Sequence, residues 1–121
     1  MDIDRSRLYE NVHDYLETSG FTTMKLARTA ALELCDWAAE RGIVIVMVEG
    51  GIFREGTFEA RLDAIWKGED PPIEREDADR NNLSAAEFIR SMDNDYNAFV
   101  ISSAPTTGYL HLKKDDAARS G

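Results

Sequence analysis

Two histidines, a single cysteine and one dense acidic stretch are the side chains in this 121-residue sequence whose types could support catalysis or metal binding. His13 lies beside an apolar stripe and His111 lies near the C-terminus. Neither belongs to an H-x-x-x-H pair, which would put two imidazoles on one helix face, and neither has a Cys or Asp at a diagnostic distance. Cys35 stands alone, so neither an internal disulfide nor a thiolate zinc site can be built. Its neighbours Ala30, Ala31, Leu34 and Ala38 give it the place of a small core residue rather than a nucleophile. The acidic stretch (Glu69, Asp70, Glu74, Glu76, Asp77, Asp79) lacks the spacing of a calcium loop, and Pro71-Pro72 interrupts it. No G-x-S-x-G elbow, P-loop or dinucleotide fingerprint occurs, and Glu49-Gly50-Gly51 reads as a turn. Carboxylates distant in sequence and meeting in space are the one catalytic reading left open. We therefore expect no enzyme, no cofactor and no metal.

What remains points to binding. Twenty-three acids against fourteen Lys and Arg give a net charge of −9. Phosphates would be repelled unless a basic patch were set apart, and Arg5, Arg7, Lys25, Arg28, Lys113 and Lys114 are scattered among acids. Direct nucleic-acid binding is thus not expected, whereas a basic protein partner suits the charge. Phe53, Trp66, Tyr96 and Tyr109 stand beside acids, the make-up of aromatic anchors inside a charged rim.

The elements that must position these residues follow from periodicity. Residues 4–18 carry Leu8, Val12, Tyr15 and Leu16 at helical spacing, and Gly20 suits a C-terminus. A second helix is expected from Thr23, with Ala30, Ala31, Leu34, Cys35 and Ala38 inward and Gly42 as its stop. Ile43 to Val48 is apolar throughout, the mark of a central strand. From Thr57 to Trp66 the pattern alternates, with Phe58, Ala60, Leu62, Ala64 and Trp66 on one face, so these two strands should form an antiparallel hairpin. A third helix should run from near Glu74 or Asp79 to Met92, followed by a strand over 97–102. Tyr109 to Leu112 could add a short edge strand after the Pro105–Gly108 turn. The order ααββαβ(β) predicts an α+β fold, an antiparallel sheet of three to four strands with helices packed on one face. No apolar run reaches the ~20 residues that span a bilayer. The N-terminus is too acidic for a signal peptide. We expect a cytoplasmic protein that engages no membrane.

Residues 24–102 resemble the colicin-E5 immunity proteins, inhibitors of a tRNA anticodon ribonuclease toxin. The resemblance rests on Met24-Lys25-Leu26, then Ala30-Ala31, Glu33, Cys35, Ala38-Ala39 and Gly42. It continues through the apolar strand ending in Glu49-Gly50-Gly51, Phe58, Trp66, Asn81-Asn82, and Tyr96 with Ala98-Phe99-Val100-Ile101. It departs at Val44 and Phe53, where the family pattern has tryptophan, and at Arg61, where it has an acid. The chain is expected to form one domain over 1–121, with a helical extension at 1–22 and a frayed tail at 113–121 around an immunity-like core at 23–112; the first 23 residues and the tail after Ser103 have no counterpart in the family pattern. The resemblance implies a basic toxin ribonuclease domain as partner, whose RNA cleft is occluded by an acidic surface. On that reading Glu49, Phe53, Glu59, Asp63, Trp66 and Asp70 are the contact residues, the acids standing where substrate phosphates lie and the aromatics serving as anchors. A reading from another class is a self-associating structural or regulatory protein, with the N-terminal helix offering a homodimer face.

Overall fold

A computed structural model describes residues 3–4, 6–18, 22–69 and 74–106. The chain runs through α1 (Val12–Leu16), β1 (Thr22–Ala27), α2 (Arg28–Trp37), a 3-10 turn (Ala39–Arg41), β2 (Ile43–Arg54), β3 (Thr57–Lys67), α3 (Arg75–Ser91) and β4 (Ala98–Pro105). The strands form one antiparallel sheet in the order β1-β4-β2-β3. The α+β class and the central place of the 43–48 segment hold, and the hairpin of β2 with β3 is present.

The element order differs in one respect. The stretch expected to start a helix at Thr23 is instead strand β1. Met24 and Leu26 alternate inward and pair with Ile101 and Phe99 of β4, and the helix starts only at Arg28. β1 is thus the fourth strand; the strand expected at 109–112 lies outside the described residues. The first helix is also shorter than the 4–18 stripe suggested, because Asn11 caps it by accepting from the His13 N–H at 2.9 Å. Half of the stripe is spent inside the chain: Val12 is 3% exposed and Tyr15 fully buried, while Leu8 and Leu16 are half-buried. The Tyr15 hydroxyl donates to Ser103 Oγ at 2.6 Å.

The core lies between the sheet and helices α2 and α3, built from Met24, Leu26, Leu34, Ile45, Val48, Ile89, Phe99 and Ile101. α3 is fastened to β2 by two adjacent asparagines. Asn82 Oδ1 accepts from the Ile45 N–H at 2.9 Å and its Nδ2 donates to the Ile43 carbonyl at 3.0 Å. Asn81 Nδ2 donates to the Ile45 carbonyl at 2.7 Å, and its Oδ1 accepts from the Glu69 N–H at 3.0 Å. These bonds serve the stretch of β2 that β3 does not reach, since pairing with β3 stops at Met47, so two buried amides stand in for a strand there.

Glu49-Gly50-Gly51 is not the turn. β2 continues to Arg54, and the reversal falls at Glu55 and Gly56, both with positive φ (52° and 79°), as a two-residue hairpin requires. Gly50 and Gly51 instead allow close packing: a Cβ on Gly50 would lie 3.2 Å from the Phe99 ring, and one on Gly51 would lie 2.7 Å from the Phe58 ring.

Candidate functional site

The surface that could meet a partner is set by an irregularity in β3. Pairing runs from Phe53↔Phe58 to Gly51↔Ala60, then resumes at Glu49↔Ile65. One residue of β2, Gly50, is thus faced by four of β3, Arg61 to Ala64, and the edge bulges there. The expected alternation breaks at this point. Phe58 and Ala60 share the helix-free face with Phe53 and Gly51, Ala64 and Trp66 turn to the helices, and Leu62 is 90% exposed. A side chain meant for the core therefore stands in solvent.

The bulge is backed by the segment joining α3 to β4. The Tyr96 hydroxyl donates to Asp63 Oδ1 at 3.4 Å. Desolvation, and then the adjacent Asp63 carboxylate, raise the Tyr96 phenol above its ordinary pKa. Asn97 grips the end of β2 through both amide atoms: Oδ1 accepts from the Phe53 N–H at 2.7 Å and Nδ2 donates to the Phe53 carbonyl at 3.0 Å. Arg28, at the start of α2, reaches beneath the same segment and donates to the carbonyls of Ile89 (3.2 Å), Met92 (3.0 Å), Asp93 and Tyr96 (2.9 Å). Its guanidinium lies 5.4 Å from the Phe99 ring centroid. Asp93 and Asp95 are thereby presented, exposed, on the segment whose Tyr96 reaches the bulge.

The six residues singled out from the sequence do not form one patch. Glu59 and Asp63 belong to the bulged edge and are exposed, with Glu59 3.7 Å from the Arg61 guanidinium. Glu49 and Phe53 lie on the helix-free face, Glu49 in register with Val100 and Ile65. Phe53 is already engaged by its own chain: the Lys25 ammonium sits 5.2 Å from its ring centroid and 5.0 Å from that of Phe58. Trp66 turns to the opposite side, packs on the core, and lines an open cleft of about 380 Å³ with Lys67, Asp77, Arg80 and Asn81. Asp70 lies outside the described residues. The acids of 93–95, Leu62, Arg28 and Lys25 were missing from the sequence-based set. The signal for Asp93 and Asp95 was their place next to Tyr96; nothing local marked the other three.

Burial pushes the Cys35 thiol up to about 12, so it is protonated and unreactive in the fold. Among the described residues no cluster of three or more His, Cys, Asp and Glu is placed to hold a metal ion. No described helix is long and apolar enough to cross a membrane.

Residues 24–104 match the family described as Colicin-E5 Imm protein. An immunity protein, CdiI, of Burkholderia pseudomallei is 42% identical over 109 residues, covering 90% of this chain and the whole of that relative. A colicin-E5 immunity protein of Escherichia coli is 34% identical over 80 residues, covering 65% of this chain and 96% of the relative. The Asn81-Asn82 clamp, the Gly50-Gly51 close approach and the buried β4 core all fall inside the matched region. This chain belongs to the colicin-E5 immunity protein family, a family of toxin inhibitors rather than enzymes.

Proposed function

We propose that this protein inhibits a basic, tRNA-cleaving ribonuclease toxin in the cytoplasm by laying an acidic surface across its RNA cleft. The observation that carries the reading is the bulged edge of β3, where Leu62 is exposed next to Asp63, and Asp63 is joined through Tyr96 to the segment that bears Asp93 and Asp95. A ribonuclease must attract a polyanion, so its cleft is positive, and carboxylates held at fixed spacing can stand in for phosphates. Fixation matters as much as charge. The Arg28, Asn97 and Tyr96 contacts order this segment before binding, so less conformational entropy is lost on association. Because β3 is an outer strand, a partner gripping its edge reaches side chains of both sheet faces. Glu49 on one face and Trp66 on the other then flank the contact made by Glu59 and Asp63.

The test is calorimetric titration into the anticodon-nuclease domain of the related colicin at two salt concentrations. One-to-one binding that weakens steeply with salt supports the reading. Binding insensitive to salt refutes the acidic-surface mechanism, and absence of binding refutes that colicin's nuclease as the target.

A further inference from the structure

Outer strands expose peptide groups to any strand that approaches, and a lysine projecting from the edge is a common deterrent. β1 is the sheet's other outer strand, and its one lysine does not serve that purpose. Lys25 is 9% exposed, its ammonium drawn across the helix-free face to the rings of Phe53 and Phe58. Another part of the chain takes over. The Tyr9 N–H donates to the Lys25 carbonyl at 2.9 Å, and the Tyr9 carbonyl accepts from the Ala27 N–H at 2.9 Å, forming a parallel bridge to Leu26. Tyr9 is 3% exposed and is held from its outer side: its hydroxyl accepts from the Asp4 N–H at 3.0 Å, and the Arg7 guanidinium lies 4.5 Å from its ring centroid. Immediately after it, Val12 and Tyr15 anchor the segment in the core.

This strap lies outside the family core. The family match begins at residue 24. The Escherichia coli relative is aligned over 96% of its length by 80 residues, so almost no chain is left in it for a counterpart. The Burkholderia pseudomallei relative, aligned over 90% of this chain, does extend into it.

We propose that residues 6–16 are an edge guard, which occupies the outer side of β1 and prevents it from pairing with β1 of a second copy of this chain. A second copy is the partner that fits, because two-fold antiparallel pairing of β1 with itself would extend the four-stranded sheet symmetrically. With its lysine drawn aside, the strand TTMKLA sets no like charges against each other across such a pairing. The guard leaves the bulged β3 edge to the toxin and stands on contacts separate from that reading.

The test is sedimentation of the full-length protein beside Tyr9→Pro, which deletes the N–H that donates to Lys25, and beside a chain lacking residues 1–10. Amide exchange at Ala27 reports on the edge directly. The full-length protein should sediment as one chain. Both variants should double in mass as concentration rises. At low concentration their Ala27 amide should exchange about 100-fold faster than in the parent, and slow again on dimerisation. Folded variants that stay single, a dimer in which the Ala27 amide remains fast, or a parent that is already dimeric each overturn the proposal. So does failure of both variants to fold, which would make the segment part of the core and not a guard.

Discussion

Arg28→Ala is the substitution with the most to say about how the proposed interaction surface is held. One guanidinium donates to four carbonyls of the α3 C-terminus and the segment after it, and stacks against Phe99. A hydrogen bond to a charged group is worth about 1.5–3 kcal/mol net. The bonds to these four carbonyls cannot each contribute in full, because they share one half-buried charge and water replaces part of what is lost. Two effective bonds set the loss at about 3 kcal/mol. For a domain of this size that corresponds to a fall in Tm of about 12 °C. Urea unfolding followed by circular dichroism measures it, with an unchanged m-value showing that the unfolded state is not the cause. Arg28→Lys keeps the charge but not the planar fork, and should still lose about 2 kcal/mol. Toxin binding should weaken in both, through faster dissociation, because the 93–96 segment is no longer ordered in advance. A loss below about 0.5 kcal/mol in Arg28→Ala would show that the segment is held by Asn97 and packing alone.

Three further outcomes are expected. Reversing Glu49 and Asp63 together to lysine should cost about 3–5 kcal/mol of toxin affinity by calorimetry, with only a small fall in thermal stability from the lost long Tyr96–Asp63 hydrogen bond; unchanged affinity removes this surface from the interface. Gly51→Ala places a Cβ 2.4 Å from the Glu59 carbonyl oxygen and against the Phe58 ring, so it should destabilise by about 1–3 kcal/mol in chemical unfolding. Stability should also fall in alkali. Cys35 has an ordinary value of 9.0 and is raised to about 12 in the fold, so above pH 9 the unfolded chain releases a proton that the folded one retains. The slope is about −1.4 kcal/mol per pH unit between these values, with no contribution from Cys35 below pH 8, and Cys35→Ala should flatten the part of the decline that Cys35 causes.

Much of the scaffold was legible because its signals are local. The apolar run from Ile43 to Val48 declared a central strand, and the spacing of Ala78, Ala85, Ala86 and Ile89 declared α3. The absence of any motif for nucleophile, metal or phosphate needed no structure to see. Other features depend on residues far apart in the chain. Thr22–Ala27 is too short to separate from the alanine-rich helix behind it, and it becomes a strand because Met24 and Leu26 find Ile101 and Phe99 across the sheet. Gly50-Gly51 looks like a turn until the Phe58 and Phe99 rings occupy the space that side chains would fill. An alternating strand hides a bulge, because pairing with β2 alone decides that three extra residues of β3 leave the ladder and turn Leu62 outward. Phe53 cannot be known to hold Lys25 before the sheet brings β1 and β2 onto one face. Period and composition report how each segment prefers to bury its apolar side, whereas register and close approach are settled only by the partner surface against which it is buried.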